Sequence, residues 1–185
     1  MKNSIFTKSE VESLYYIKDR NNEIRWIFPI SLIRPTFLNL YNSNTLKGFI
    51  YKILLKFIFK LKLQNKFVSG VMHEDLEERY KNLLTKLNCT NYSIFTGTPG
   101  ENRKIVIEAN NGMETKYFIK IPTTDSSVKL IQMEKINLDS LNILKFNCFE
   151  VPKVALSDGE LIAISNIKPK RGVSNKDFSS VHFNA

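Results

Sequence analysis

From Asn91 onward the sequence breaks into short runs of strand-forming residues, YSIFTG, KIVIEA and KYFIKI, the last two joined by Asn110-Asn111-Gly112. Runs of this length rich in Ile, Val, Tyr and Phe, closed by a turn cluster, predict three antiparallel strands. Residues 126–144 (SSVKLIQMEKINLDSLNIL) predict a helix, and FEVPKVAL and ELIAISNI two further strands around the Ser157-Asp158-Gly159 turn. The order βββαββ makes the second half of the chain an α+β unit built on one antiparallel sheet.

The first half is organised differently. Asp19-Arg20-Asn21-Asn22 is a turn cluster between YYI and EIRWIFPI and predicts a short hairpin. Pro29 and Pro35 then keep helix away until Asn44 or Thr45, which can cap the segment TLKGFIYKILLKFIFKLKL at about 45–63. Within it Lys52, Lys56 and Lys60 recur every fourth residue and form one stripe, while Ile50, Ile53, Leu54, Phe57, Ile58 and Leu61 cover the rest of the cylinder. Two readings stay open: a packing helix with one solvated lysine face, or an amphipathic helix lying on an anionic membrane surface. Nucleic acid is the weaker match, because the aromatics sit within the apolar face and not as platforms on the basic one. Residues 73–87 (HEDLEERYKNLLTKL), with Leu76, Tyr80, Leu83, Leu84 and Leu87 at helical spacing, predict another helix.

The 185 residues, 43% hydrophobic, suffice for one ordinary domain or two small modules and exclude long-range disorder. No apolar run reaches eighteen residues and the start MKNSIFTKSEVES lacks the apolar centre of a signal peptide, so a cytoplasmic chain is expected, with the inner membrane face as a peripheral location. Cys89 and Cys148 have no metal-binding spacing and read as free thiols, which leaves the sequons at Asn88 and Asn91 without meaning. The net charge of +9 is concentrated early: residues 1–70 carry twelve Lys/Arg against four Asp/Glu, residues 71–185 fifteen against fourteen. A basic partner surface would therefore be N-terminal, although 21 lysines against six arginines is also what AT-rich coding produces.

Three polar features of the second half carry chemistry. Phe95-Thr96-Gly97-Thr98-Pro99-Gly100 is a glycine-containing turn between strands, which lets backbone N–H groups approach phosphate oxygens. Lys120, ending Tyr117-Phe118-Ile119-Lys120, shares a strand face with Phe118 and needs an anionic partner. Glu134, between Ile131 and Leu138 on the following helix, is turned inward and is the candidate.

FTGTPGENRKIVIEA, YFIKI, LIQMEKINLDSL and VPKVALSDGELIAISNIKP together resemble the N-terminal lobe of the aminoglycoside-phosphotransferase-like branch of the protein-kinase fold, in particular phosphotransferases encoded among bacterial surface-polysaccharide genes. The resemblance covers about residues 91–169. It implies a five-stranded antiparallel sheet with one αC-type helix, preceded by a mainly helical basic extension with a short hairpin. It implies an extension over 1–70, a lobe with its leading helix over 71–169, and a tail over 170–185 that starts a second lobe. It also implies ATP with Mg²⁺ as cofactor: Gly97, Thr98 and Gly100 in the loop over the phosphates, Lys120 on the α and β phosphates, Glu134 holding Lys120, and Ser165, Asn166 and Ile167 as the hinge that meets adenine. One glycine of G-x-G-x-x-G is absent and VAIK reads FIK.

Transfer also needs a catalytic-loop aspartate, an asparagine after it and a metal-binding aspartate. After Pro169 only KRGVSNKDFSSVHFNA follows; neither His73 nor His182 heads an HxD loop, and Asp177 stands in NKDFSS out of topological order. The expectation is the nucleotide lobe of a phosphotransferase without its second lobe, inactive alone, binding ATP weakly and prone to dimerise or to meet a protein partner. The other expectation is a non-catalytic scaffold or membrane-peripheral module that uses Lys52, Lys56 and Lys60 on an anionic surface or partner.

Overall fold

The computed structural model describes residues 6–8, 13–32, 34–35, 38, 46–112, 114–144, 146 and 150–167. Cys148, Asn44, Thr45, Asp177, His182 and the tail 170–185 lie outside the described residues. The strands are β1 (Phe6–Lys8), β2 (Leu14–Lys18), β3 (Ile24–Pro29), β4 (Gly70–Met72), β5 (Glu74–Leu76), β6 (Asn91–Phe95), β7 (Lys104–Asn111), β8 (Glu114–Pro122), β9 (Val154–Ser157) and β10 (Ile162–Ser165). The helices are α1 (Leu46–Lys60), α2 (Gln64–Phe67), α3 (Glu78–Lys86) and α4 (Asp125–Ile143). The chain is α+β.

All five expected strands of the second half are present and lie side by side in the order β6-β7-β8-β10-β9. The sheet does not stop there. The early hairpin joins it through β3, which pairs Trp26 with Phe95 and Ile27 with Ile94 on β6, and β4 adds to the outside of β2. The result is one eight-stranded sheet, β4-β2-β3-β6-β7-β8-β10-β9, with every described pairing antiparallel.

The periodicity of 73–87 overstates the helix. Glu74–Leu76 is a strand, paired with Phe6–Lys8, and helix begins only at Glu78. Buried Asp75 accepts a hydrogen bond from the Leu76 N–H and pairs with Lys81, so its carboxylate is satisfied inside the strand-to-helix corner. Pairing with a segment some seventy residues away takes backbone groups that local spacing assigned to a helical turn.

The sheet is covered on both faces. On one, α3 lays Tyr80, Leu83 and Leu84 over Ile27, Ile94, Ile107, Ile119 and Ala163. Each of the buried leucines and isoleucines contributes roughly 1.5–3 kcal/mol by leaving water. On the other, α1 covers the β2–β3 end with Leu55 and Phe59 against Tyr15, Ile17 and Phe28. Further along that face α4 covers β8, β9 and β10, with Ile131 and Leu138 against Phe118, Val154, Ile162 and Ile164. Thr124 and Ser127 start α4 with a reciprocal capping box, which satisfies two N–H groups that a helix start leaves orphaned. No helix among the described residues is long and apolar enough to cross a membrane.

Candidate functional site

Lys120 and Glu134 meet. The Lys120 ammonium donates to Glu134 Oε1, tying β8 to α4, and both side chains are largely but not wholly withdrawn from water, at 17% and 28% exposure. Strand register explains the aim of the lysine: Lys120 lies opposite Val106 on β7 and Ile162 on β10, so it shares the face that α4 covers. A third charge belongs to the same cluster. Lys104, two residues before Val106 and hence on the same face, brings its ammonium 3.8 Å from Glu134 Oε2. Two cations from neighbouring strands thus address the two oxygens of one carboxylate, leaving a net positive charge at a partly shielded position. Such a cluster attracts an anion.

The β6–β7 connection, residues 96–103, is fixed at both sides. Gly97 has φ of +83°, and a Cβ there would stand 2.3 Å from the Lys104 carbonyl oxygen, so close backbone packing already requires glycine. Gly100 has φ of +139° with open space around it, and Thr98 to Asn102 are exposed. Arg25 of β3 donates to the Gly97 carbonyl at 2.6 Å and stacks its guanidinium 4.9 Å from the Phe95 ring centre. On the other side Thr123 Oγ1 donates to the Arg103 carbonyl at 2.7 Å, Thr124 Oγ1 to that of Glu101, and Ser126 Oγ to Asn102 Oδ1 at 2.6 Å. The loop is thereby drawn to the start of the helix that carries Glu134.

Ser165 ends β10 and Asn166 and Ile167 follow it, but two of the three amides are occupied. Ser165 N–H donates to the Lys153 carbonyl at 2.9 Å and Asn166 N–H to that of Lys116 at 2.8 Å. Ser165 lies opposite Tyr117, three residues along β8 from Lys120, or about 10 Å at the rise of a strand. Between α1 and α4 the strip of sheet around Ser93, Val106 and Glu108 is buried, and the Ser93 and Thr115 hydroxyls donate to the Glu108 carboxylate. The open end of the site is therefore that of Lys120, Lys104 and the 96–103 loop.

Lys52, Lys56 and Lys60 lie on α1, at the opposite end of the same face. Lys56 and Lys60 are exposed, Lys52 is half-buried, and none of the three forms an ion pair among the described residues. Cys89 is a buried free thiol, pushed up by desolvation, so little of it ionises at neutral pH. A cleft of about 260 Å³ bordered by Arg79, Tyr80, Thr123, Thr124 and Glu160 shares the two loop-tethering threonines but contains neither Lys120, Lys104 nor Glu134. Its guanidinium is already bound to Asp158 and Glu160, at 2.6 and 2.9 Å. Among the described residues no group of three or more His, Cys, Asp or Glu could hold a metal ion.

Lys104 and Arg25 escape the sequence reading for different reasons. Lys104 carries a signal, the alternation Lys104, Val106, Glu108, which needs the strand register to become useful. Arg25 carries none, because only the β3–β6 pairing brings it to the loop. Comparison with protein-family models, with curated proteins and with solved structures gave no match.

Proposed function

We propose that residues 91–165 form a kinase-like nucleotide lobe, the nucleotide-binding part of a phosphotransferase of the kind linked to surface-polysaccharide synthesis, with ATP and Mg²⁺ as the ligand pair. The observation that carries this reading is the Lys120–Glu134 pair between the third strand of the five and the helix that follows it. In such a lobe a lysine held by a helix glutamate presents its charge to the α and β phosphates. The contiguous order β6-β7-β8-β10-β9, with α4 crossing from β8 to the outer strand β9, supports it, as does the loop of 96–103 beside the lysines.

The phosphates would take the open, positive end, with the exposed Thr98 and Gly100 offering backbone and Gly97, buried against Lys104, shaping the turn that presents them. Adenine would take Ile167 and the carbonyls near Ser165 and Asn166. The buried strip at Val106 and Glu108 resists a base entering deeply, so affinity rests on the phosphates and is weak. Transfer itself needs a catalytic-loop aspartate, an asparagine after it and a metal-binding aspartate, which a second lobe would supply.

Calorimetric titration tests this. ATP should bind with Kd on the order of 0.1–1 mM, adenosine at least tenfold more weakly, and Lys120→Met should abolish binding while leaving the circular-dichroism spectrum intact. No ATP heat, or equal affinity in the Lys120→Met protein, would overturn the proposal.

A further inference from the structure

Helix α1 is apolar on two sides, and only one of them packs. Burial is confined to Gly48, Leu55 and Phe59, with Tyr51 and Ile58 partly covered. On the far side Phe49, Ile50, Ile53, Leu54, Phe57 and, just past the helix end, Leu61 are 40–63% exposed. At 100° per residue these side chains spread over an arc of roughly 140°, wider than the seam a single partner helix covers. Lys52, Lys56 and Lys60 run along one edge of that arc and Lys47 stands beyond the other. The sequence on either side of it carries charge of one sign: residues 24–73 contain eight Lys/Arg and no Asp or Glu.

We infer that the outer face of α1 is a binding surface for an anionic lipid bilayer, which the helix enters lying flat. A broad face of Phe, Ile and Leu matches the acyl boundary, and lysines at its rim can extend their stems along that face while their ammonium groups reach lipid phosphates. A helix of fifteen residues is about 22 Å long, too short and too basic to span, which leaves the surface orientation. Unbroken positive charge complements the anionic leaflet, whereas a protein partner would have to present a matching acidic rim around a flat apolar patch. The nucleotide reading plays no part in this, since α1 lies at the other end of the sheet.

Sedimentation of the full chain with vesicles decides it, without nucleotide. Binding to vesicles with 30% phosphatidylglycerol should exceed binding to neutral phosphatidylcholine by at least tenfold and fall steeply between 0.05 and 0.5 M salt, as screened attraction requires. The Lys52→Gln/Lys56→Gln/Lys60→Gln protein should lose about tenfold, and Phe49→Ser/Phe57→Ser should lose binding at any salt. In a Phe57→Trp protein, brominated acyl chains should quench the added fluorescence, a readout that holds even where the serine variant fails to fold. Equal binding to both vesicle types, no quenching, or a concentration-dependent dimer that protects Phe57 while no vesicle is bound, would each overturn the inference.

Discussion

At Gly97 two constraints coincide, a left-handed φ of +83° and a carbonyl oxygen 2.3 Å from where a Cβ would stand. Gly97→Ala should therefore cost roughly 1–3 kcal/mol, read from the urea midpoint, and Gly100→Ala, which keeps the torsional strain of φ +139° but meets no neighbouring atom, less. Equal costs would mean that backbone torsion alone sets the requirement. A loss of ATP affinity in Gly100→Ala without loss of stability would assign that glycine to ligand approach. Lys120 and Glu134 were legible one residue at a time, because an inward lysine and an inward glutamate on consecutive elements each need a partner. Lys104 was not, for a reason that belongs to the strand.

That reason is the register shift between Ala109 and Asn110. Near the turn Asn110 faces Thr115, but past the irregularity Ala109 faces Tyr117 and Val106 faces Lys120. An unbroken ladder would instead put Ile105 opposite Lys120 and give its face to Ile105 and Ile107. A one-residue shift exchanges the two faces of a strand, so the extra β8 residue, Lys116, is what puts Lys120 on the face of Lys104, Val106 and Glu108. At the start of that helix Thr124 has two duties: it caps α4 through the Ser127 N–H at 3.1 Å and it holds the Glu101 carbonyl. Thr124→Ala should lower stability by about 1 kcal/mol, the usual worth of a cap, and speed amide exchange at Arg103, whose N–H bonds to the Gly100 carbonyl at 3.1 Å. A stability loss with unchanged exchange would show that the cap and the loop tether act independently.

On the scale of the whole molecule, α3 is tied to the β9–β10 turn by Arg79, which binds both Asp158 and Glu160. Desolvation pushes the Asp158 carboxyl up, but the Arg79 hydrogen bond and the N–H groups of Leu161 and Glu160 outweigh it and hold the group below its ordinary value. A carboxylate depressed by folding adds stability that is present above its unfolded pKa, about 3.9, and is lost as pH falls through the lower folded value. The guanidinium side chain is 47% exposed, so screening by water keeps the link to about 1 kcal/mol or less. Arg79→Ala should lower stability by that amount at pH 7, and the difference from the native protein should close in acid, below the range where Asp158 ionises. A difference that persists there would make the arginine's role one of packing.

What the sequence determined by itself was local: the five strands between Asn91 and Ser165, the helix between the third and fourth of them, the early hairpin, and the facing of Lys120 and Glu134. Period and turn chemistry act over a few residues, and each is written in the order of the chain. Tertiary structure decided what required a partner far away in sequence. It set β3 against β6, which turns a five-stranded unit and a hairpin into one sheet. It took Glu74–Leu76 from a helical pattern to pair with β1. On α1, where apolar residues surround the lysine stripe, it chose Leu55 and Phe59 for the core and left Phe49 and Phe57 in water. A helix that is apolar nearly all round has no single preferred side, so the shape of the sheet beneath it makes the choice.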